Sequence, residues 1–246
     1  MQEAKESCRG TWYLPAGRME LGETIEQGCM REVLEETGLQ VQPVSLVMVE
    51  AGGGRWLRFT FYCNVIGGEL KSKDKADKES IQAGWFDLKS YSITQNMRMW
   101  DVIPLIDCTQ KWLMNKNKLE YLPGVLPYKF FIVRLICVNR QEGVTQVLLN
   151  DNKSLPVIQV PTAGKVRHHV CEKVRDILKD KKAEPKVIGV AGVDHTGGDR
   201  DGICITLVVI LEITVPHSFW YPVVEDMKSK VDRFISRAIP LDIYCD

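Results

Sequence analysis

Residues 17–39 read GRMELGETIEQGCMREVLEETGL, and the spacing of glycine, glutamate and arginine in this stretch decides the fold. It fits G-x5-E-x7-R-E-U-x-E-E-x-G-U, with U apolar, at every defined position: Gly17, Glu23, Arg31, Glu32, Val33, Glu35, Glu36, Gly38 and Leu39. At ordinary residue frequencies such a match anywhere in the chain has a chance on the order of 10⁻⁶. Thr24 followed by Gln27 suits a capping box and Gly38 suits the left-handed position past a helix end, so a helix is predicted over 24–37. At about 100° per residue, Glu32, Glu35 and Glu36 share one arc, while Cys29, Met30, Val33 and Leu34 occupy the adjoining one. The glutamate face is expected in solvent and the other face against a core.

Three carboxylates so close repel one another and raise each other's pKa unless a divalent cation offsets the charge. Hard oxygen ligands favour Mg²⁺, or Mn²⁺ in its place. A cation bridging carboxylates and phosphate oxygens lets an anionic diphosphate enter an acidic site, and it activates water. Arg31 and Glu23 are placed to pair across the loop and hold its shape. A lone REVLEE would be an ordinary solvated face; the full spacing, with both glycines, argues against that.

Outward from this stretch, Val44–Glu50 and Trp56–Val65 read as strands of a hairpin turning at Gly52–Gly54, and Gly67-Gly68 ends the second. After the charged KSKDKADKES, Trp85-Phe86 reads as a short strand and Met97–Met114 as a helix. Residues 116–127, with Pro123, Gly124 and Pro127, read as a linker between a first domain over 1–115 and a second over 128–246. The second half echoes the first. WYLPAGRM and IQVPTAGKV are each an apolar strand ending in proline, then a glycine, a basic residue and a helix, here Arg167–Leu178. Strands Lys186–Val193 and Ile203–Val215, joined by DHTGGDRDG, and a helix over Val223–Ser236 follow. The fold class is therefore α+β. The second lobe offers only Glu172 and Asp176 where three glutamates stand in the first. It also has two strands, Phe130–Val138 and Gln146–Leu149, ahead of its Pro161, whereas fourteen residues precede Pro15. The comparison suggests that N-terminal strands of the first lobe are missing, through shortening or through a start at an internal methionine.

Composition narrows the partners. Lys plus Arg and Asp plus Glu number 32 each in 246 residues, which gives no basic surface for nucleic acid or an anionic membrane and points to a small-molecule ligand. The eight cysteines, at 8, 29, 63, 108, 137, 171, 204 and 245, stand singly and read as reduced, buried thiols. With no apolar run of about 18 residues and no signal-peptide core, a cytoplasmic location is expected.

The pattern in residues 17–39 is that of the Nudix box, and the chain resembles the Nudix hydrolase superfamily. The resemblance implies an α/β/α sandwich with a mixed sheet, followed here by a degenerate Nudix-like lobe that serves packing, substrate cover or homodimer formation. It implies Glu32, Glu35 and Glu36 as metal ligands or base, the Ala16 carbonyl as a backbone ligand, and a downstream carboxylate, for which Glu79 is the candidate. The stretch QEAKESCRGTWYLPAGRMELGETIEQGCMREVLEETGL, with GGELK, ESIQAGWF and DHTGGDRDGIC, looks like the MutT-homologue subgroup that dephosphorylates 8-oxo-guanine nucleoside diphosphates. That implies hydrolysis of 8-oxo-dGDP and 8-oxo-GDP to the monophosphate, cleansing the nucleotide pool. Trp56, Trp85 and Trp100 suit stacking on a base, against a core role common for large aromatics. Asp101 suits a purine edge or a helix cap. His168, His169 and His195 lack ligand spacing and read as structural or solvated. Two alternatives stay open: another nucleoside diphosphate derivative, such as ADP-ribose, or a regulatory binding protein.

Overall fold

The computed structural model describes residues 1–52, 56–87, 96–116, 118–141, 143–161, 166–197, 202–212 and 220–244. They form an α+β fold with a mixed sheet and, among the described residues, four α-helices. Two compact units are present: Met1–Val47 with Thr60–Leu122, and Met48–Phe59 with Pro123–Asp246.

In the first unit, α1 spans Ile25–Thr37. Thr24 accepts the Gln27 N–H at 3.2 Å and its own N–H donates to the Gln27 side chain at 2.8 Å, so both halves of the capping box form. Gly38 ends the helix at φ 76° and donates its N–H to the Leu34 carbonyl. A Cβ there would lie 2.3 Å from the Glu69 carbonyl oxygen, so the position needs glycine for space as well as for conformation. The chain continues into β2, Leu39–Gly52, and β3, Trp56–Gly68, which are neighbours in one sheet; residues 53–55, the expected turn, lie outside the described residues. β2 opens with Leu39, Val41 and Pro43 buried and Gln40 and Gln42 exposed, the two-residue period of a strand with one wet face.

Three expectations are corrected here. Trp85-Phe86 is not a strand; the strand is β4, Ser80–Gln82, which pairs antiparallel with β1, Gln2–Glu3. Phe86 instead meets the Trp12 ring edge-on at 4.7 Å. The helix expected from Met97 begins later, as α2, Val102–Met114. The reason is that Asn96 and Arg98 spend backbone groups on Trp12: its N–H donates to the Asn96 carbonyl at 2.8 Å and its carbonyl accepts the Arg98 N–H at 2.9 Å. That bridge is also what becomes of WYLP, which forms no strand.

The second unit follows the predicted order more closely. It contains β5 (Ile132–Gln141), β6 (Val144–Leu148), β7 (Val157–Gln159), α3 (Val166–Leu178), β8 (Lys186–His195), β9 (Ile203–Leu211), β10 (Trp220–Pro222), α4 (Glu225–Ser236) and β11 (Leu241–Tyr244). The sheet runs β10-β6-β5-β9-β8, with β7 also on β5; β5 and β9 are parallel and the other pairs antiparallel. β9 lies inside the sheet, between β5 and β8, and reads ICITLVVIL, apolar throughout apart from Thr206, as a strand covered on both faces must. On α3, Val166, Val170, Val174 and Leu178 are buried at four-residue spacing, the stripe that faces a core. β11 leaves this sheet and pairs parallel with β2, Leu241 beside Val49 and Tyr244 beside Gly52.

Within the expected linker, the Tyr121 carbonyl accepts the Leu46 N–H in the first unit, and Gly124 exchanges bonds with Val193 and His195 in the second. Of the cysteines, Cys137 and Cys204 are buried and the other described ones only half-buried, which corrects the expectation for those; among the described residues none forms a disulfide, although the Cys29 and Cys63 sulfurs lie 3.8 Å apart, and Cys245 falls outside the described residues. Among the described residues no helix is long and apolar enough to cross a membrane.

Candidate active site

Arg31 stands at the middle of α1 and gathers the carboxylates of the box. Its Nε and Nη2 grip the two oxygens of Glu23 at 2.6 and 3.0 Å, and Nη2 also donates to the Arg18 carbonyl at 2.8 Å. Its Nη1 donates to Glu32 at 2.9 Å and to Glu35 at 3.0 Å. The planar fork of a guanidinium supplies this many directed donors; an ammonium would not. The hydrogen bonds from Arg31 hold the Glu23 carboxyl below the usual range, and Glu23, then Glu32 and Glu35, hold the Arg31 proton more tightly still. Loop 17–23 is thereby fastened to the helix.

Glu36 behaves differently. The glutamate face was expected in solvent, yet Glu36 is only 3% exposed, while Leu34, expected in the core, is 45% exposed. The N-terminal segment returns over this side of α1: the Ala16 N–H donates to Glu36 Oε2 at 2.9 Å, and Glu3 lies close enough to act on its charge. Burial, then the charges of Glu32 and Glu3, raise the Glu36 carboxyl to about 7 against the lowering effect of the Ala16 N–H. Gly17 lies beside Glu32, and a Cβ there would fall 2.0 Å from the Glu32 carboxyl carbon. Only glycine leaves that carboxylate its place.

The donor set is all oxygen, which suits a hard divalent cation. Glu36, with its proton affinity raised by burial and then by the neighbouring carboxylates Glu32 and Glu3, is in the electrostatic condition that a cation relieves. Among the described residues no three acidic, histidine or cysteine side chains converge into a ready-made cluster. Two of the three box glutamates are turned to Arg31 instead. The Ala16 N–H donates to Glu36. Glu79 is half-buried, and its carboxylate lies 3.6 Å from the adjacent Lys78.

The residues assigned to base recognition lie outside the core. Trp85 is 73% and Trp100 68% exposed, and Trp56 is exposed too, so the core reading of these three is corrected. Asp101 stands ahead of α2 but its side chain makes no cap bond; its Oδ2 accepts the Tyr13 O–H at 2.8 Å, which corrects the cap reading. His195 is buried, its Nδ1 accepting the Gly197 N–H at 3.1 Å, and His168 and His169 lie by Glu172 on α3.

Sequence reasoning missed Glu3, Lys71 and Ser80. Glu3 is buried against Arg98, Nη1 to Oε1 2.7 Å. Lys71 and Ser80 hydrogen-bond the backbone at the end of α1. The nearest signal for the last two was one apolar neighbour each, Leu70 before Lys71 and Ile81 after Ser80, which is too little to mark burial.

The NUDIX domain pattern matches residues 1–106. The chain is 33% identical over 251 aligned residues, covering 94% of it and 77% of the relative, to a Mus musculus protein named 8-oxo-dGDP phosphatase NUDT18. It is 34% identical over 226 residues, 87% of the chain and 69% of the relative, to the Danio rerio protein of the same name. An ADP-ribose pyrophosphatase from Methanocaldococcus jannaschii is 39% identical over 87 residues, 33% of this chain and 49% of that protein. Enzymes with this box generally use divalent metal ions and take nucleotide substrates. With the Arg31-centred carboxylates on a capped helix and a likeness that runs nearly end to end, the chain belongs to the Nudix hydrolase family.

Proposed function

We propose that this hydrolase cleaves the phosphoanhydride of 8-oxo-guanine nucleoside diphosphates, 8-oxo-dGDP and 8-oxo-GDP, to the monophosphate and phosphate with Mg²⁺, and so removes oxidised guanine from the nucleotide pool. The observation that carries it is the extent of the likeness: 94% of the chain aligns with a protein named for 8-oxo-dGDP. The likeness to an ADP-ribose pyrophosphatase covers 33% of the chain. ADP-ribose is therefore the second reading.

Glu32, Glu35 and Glu36 would hold the cation, with Glu79 and the Ala16 carbonyl as further oxygen donors. When bound, the cation supplies Lewis-acid stabilisation of the phosphate charge and a more acidic water. The chain's own residues do the rest. Arg31 and Glu23 keep loop 17–23 against α1, which sets the place of Gly17 and with it the space for Glu32. Whichever of Glu32, Glu35 and Glu36 is not engaged by the cation would receive the proton released by attacking water. Trp85 and Trp100 offer exposed faces for the base.

The test is turnover of 8-oxo-dGDP, dGDP, 8-oxo-dGTP and ADP-ribose by the full chain with and without Mg²⁺. The oxidised diphosphate is expected to give the highest kcat/KM, because a pocket that pairs the altered purine edge leaves its polar groups unpaired with other bases. A preference for ADP-ribose selects the second reading, and absence of turnover on the whole panel overturns both.

A further inference from the structure

A helix end leaves its last carbonyls without intrahelical partners. At the end of α1 each of them has a named one. The Val33 carbonyl accepts the Thr37 hydroxyl at 2.6 Å and the Leu34 carbonyl accepts the Gly38 N–H at 2.9 Å. The next three are served from a distant segment: Glu35 by Lys71 Nζ at 2.6 Å, Glu36 by the Ser80 hydroxyl at 2.7 Å, and Thr37 by the Lys71 N–H at 2.7 Å. Ser80 is fully buried and Lys71 is 7% exposed.

A buried ammonium is costly without an anion, and Asp77 provides one, Oδ2 to Nζ 2.9 Å. The other oxygen of Asp77 accepts the N–H groups of Glu79 at 2.9 Å and Ser80 at 3.0 Å. The bonds close a ring: Glu35 carbonyl, Lys71, Asp77, the Glu79–Ser80 backbone, Glu36 carbonyl. A lysine stem could fill this space as methionine does. The charge is what joins the helix end to the loop, and a cation also suits the negative end of the helix dipole.

We propose that Lys71 is a positioning residue of this hydrolase: through Asp77 it holds the turn carrying Glu35 and Glu36 and the loop carrying Glu79 in one fixed relation, so that their carboxylates act on one cation together. The proposal rests on the reading of the box glutamates as cation ligands.

The test measures Mn²⁺ affinity of the full chain, from the signal of free Mn²⁺ in electron paramagnetic resonance, for wild type, K71M, D77N, E79Q, K71M with E79Q, and E36Q. Asp77 lies on the surface, and asparagine keeps the oxygen that accepts from Glu79 and Ser80 while losing the charge that holds Lys71. D77N therefore reports on positioning even where K71M folds poorly. K71M and D77N are expected to weaken Mn²⁺ binding by about 10-fold or more, the usual consequence of losing a group that orients a ligand. E79Q should weaken binding in the wild-type background and have little further effect in K71M, a coupling that mere loss of stability does not produce. Unchanged affinity in both D77N and K71M, or an E79Q effect undiminished in K71M, overturns the proposal while a weakened E36Q leaves the ligand reading standing. Wild-type affinity in E36Q overturns the ligand reading, and the proposal with it.

Discussion

At the scale of the residue, Glu36 and Glu23 show how neighbours set a carboxylate's chemistry. Glu36 is buried among other carboxylates and its proton affinity rises; Glu23 is gripped by Arg31 and its proton affinity falls. Glu36→Gln removes a buried charge but keeps an oxygen for the Ala16 N–H. Activity should fall on the order of 10³-fold or more, as for loss of a group used in the reacting site. The metal-free melting temperature should hold or rise, because the amide carries no charge to desolvate. A drop in the melt to match the drop in turnover would show that Glu36 is structural. For Glu23 the sign runs the other way. Its folded pKa lies below the ordinary value of 4.5, so its contribution is present above that value and is lost as pH falls through the folded one. Melts of wild type and Glu23→Gln from about pH 6 to pH 3 should therefore converge as the pH drops. A constant gap between them contradicts this account.

At the scale of the element, two glycines of the box make opposite predictions. Gly38 holds φ 76° and its missing Cβ would strike backbone, the Glu69 carbonyl. Gly38→Ala should cost at least about 1–2 kcal/mol for the left-handed conformation alone, seen as a lower melting temperature. Gly17 has ordinary φ, and its missing Cβ would strike the movable end of Glu32. Gly17→Ala should leave the melt within a few degrees of wild type and still reduce turnover by roughly 10- to 100-fold, the range for displacing a ligand's support. If Gly17→Ala destabilises as much as Gly38→Ala, the glycine serves the loop and not the carboxylate. The helix itself was legible in the sequence because everything that defines it is local: Thr24 and Gln27 at the start, Gly38 at the end. The start of α2 was not, because Trp12, far away in the chain, takes the backbone groups of Asn96 and Arg98 that would have continued it.

At the scale of the whole molecule, the last strand is the least expected part. β11 follows α4 and pairs with β2, and the Pro240 carbonyl accepts the Val49 N–H at 3.0 Å. Deleting residues 240–246 strips that edge of β2 of its partner. The melting temperature should fall on the order of 5 °C or more, and the bared edge should promote self-association, visible by light scattering. An unchanged melt and a monodisperse sample would make β11 dispensable. The sequence by itself determined the capped helix, the Arg31 and glutamate spacing and the family, since these depend on residues within a few turns of one another. It determined most of the second unit's order too, because strand and helix periods are local. Only the tertiary structure decided that Glu36 is buried and Leu34 is not, that Trp85 and Trp100 stand outside the core, and that Lys71 and Ser80 finish α1. Those outcomes depend on which distant segment covers a given face, and helical periodicity specifies the faces but not what returns to cover them.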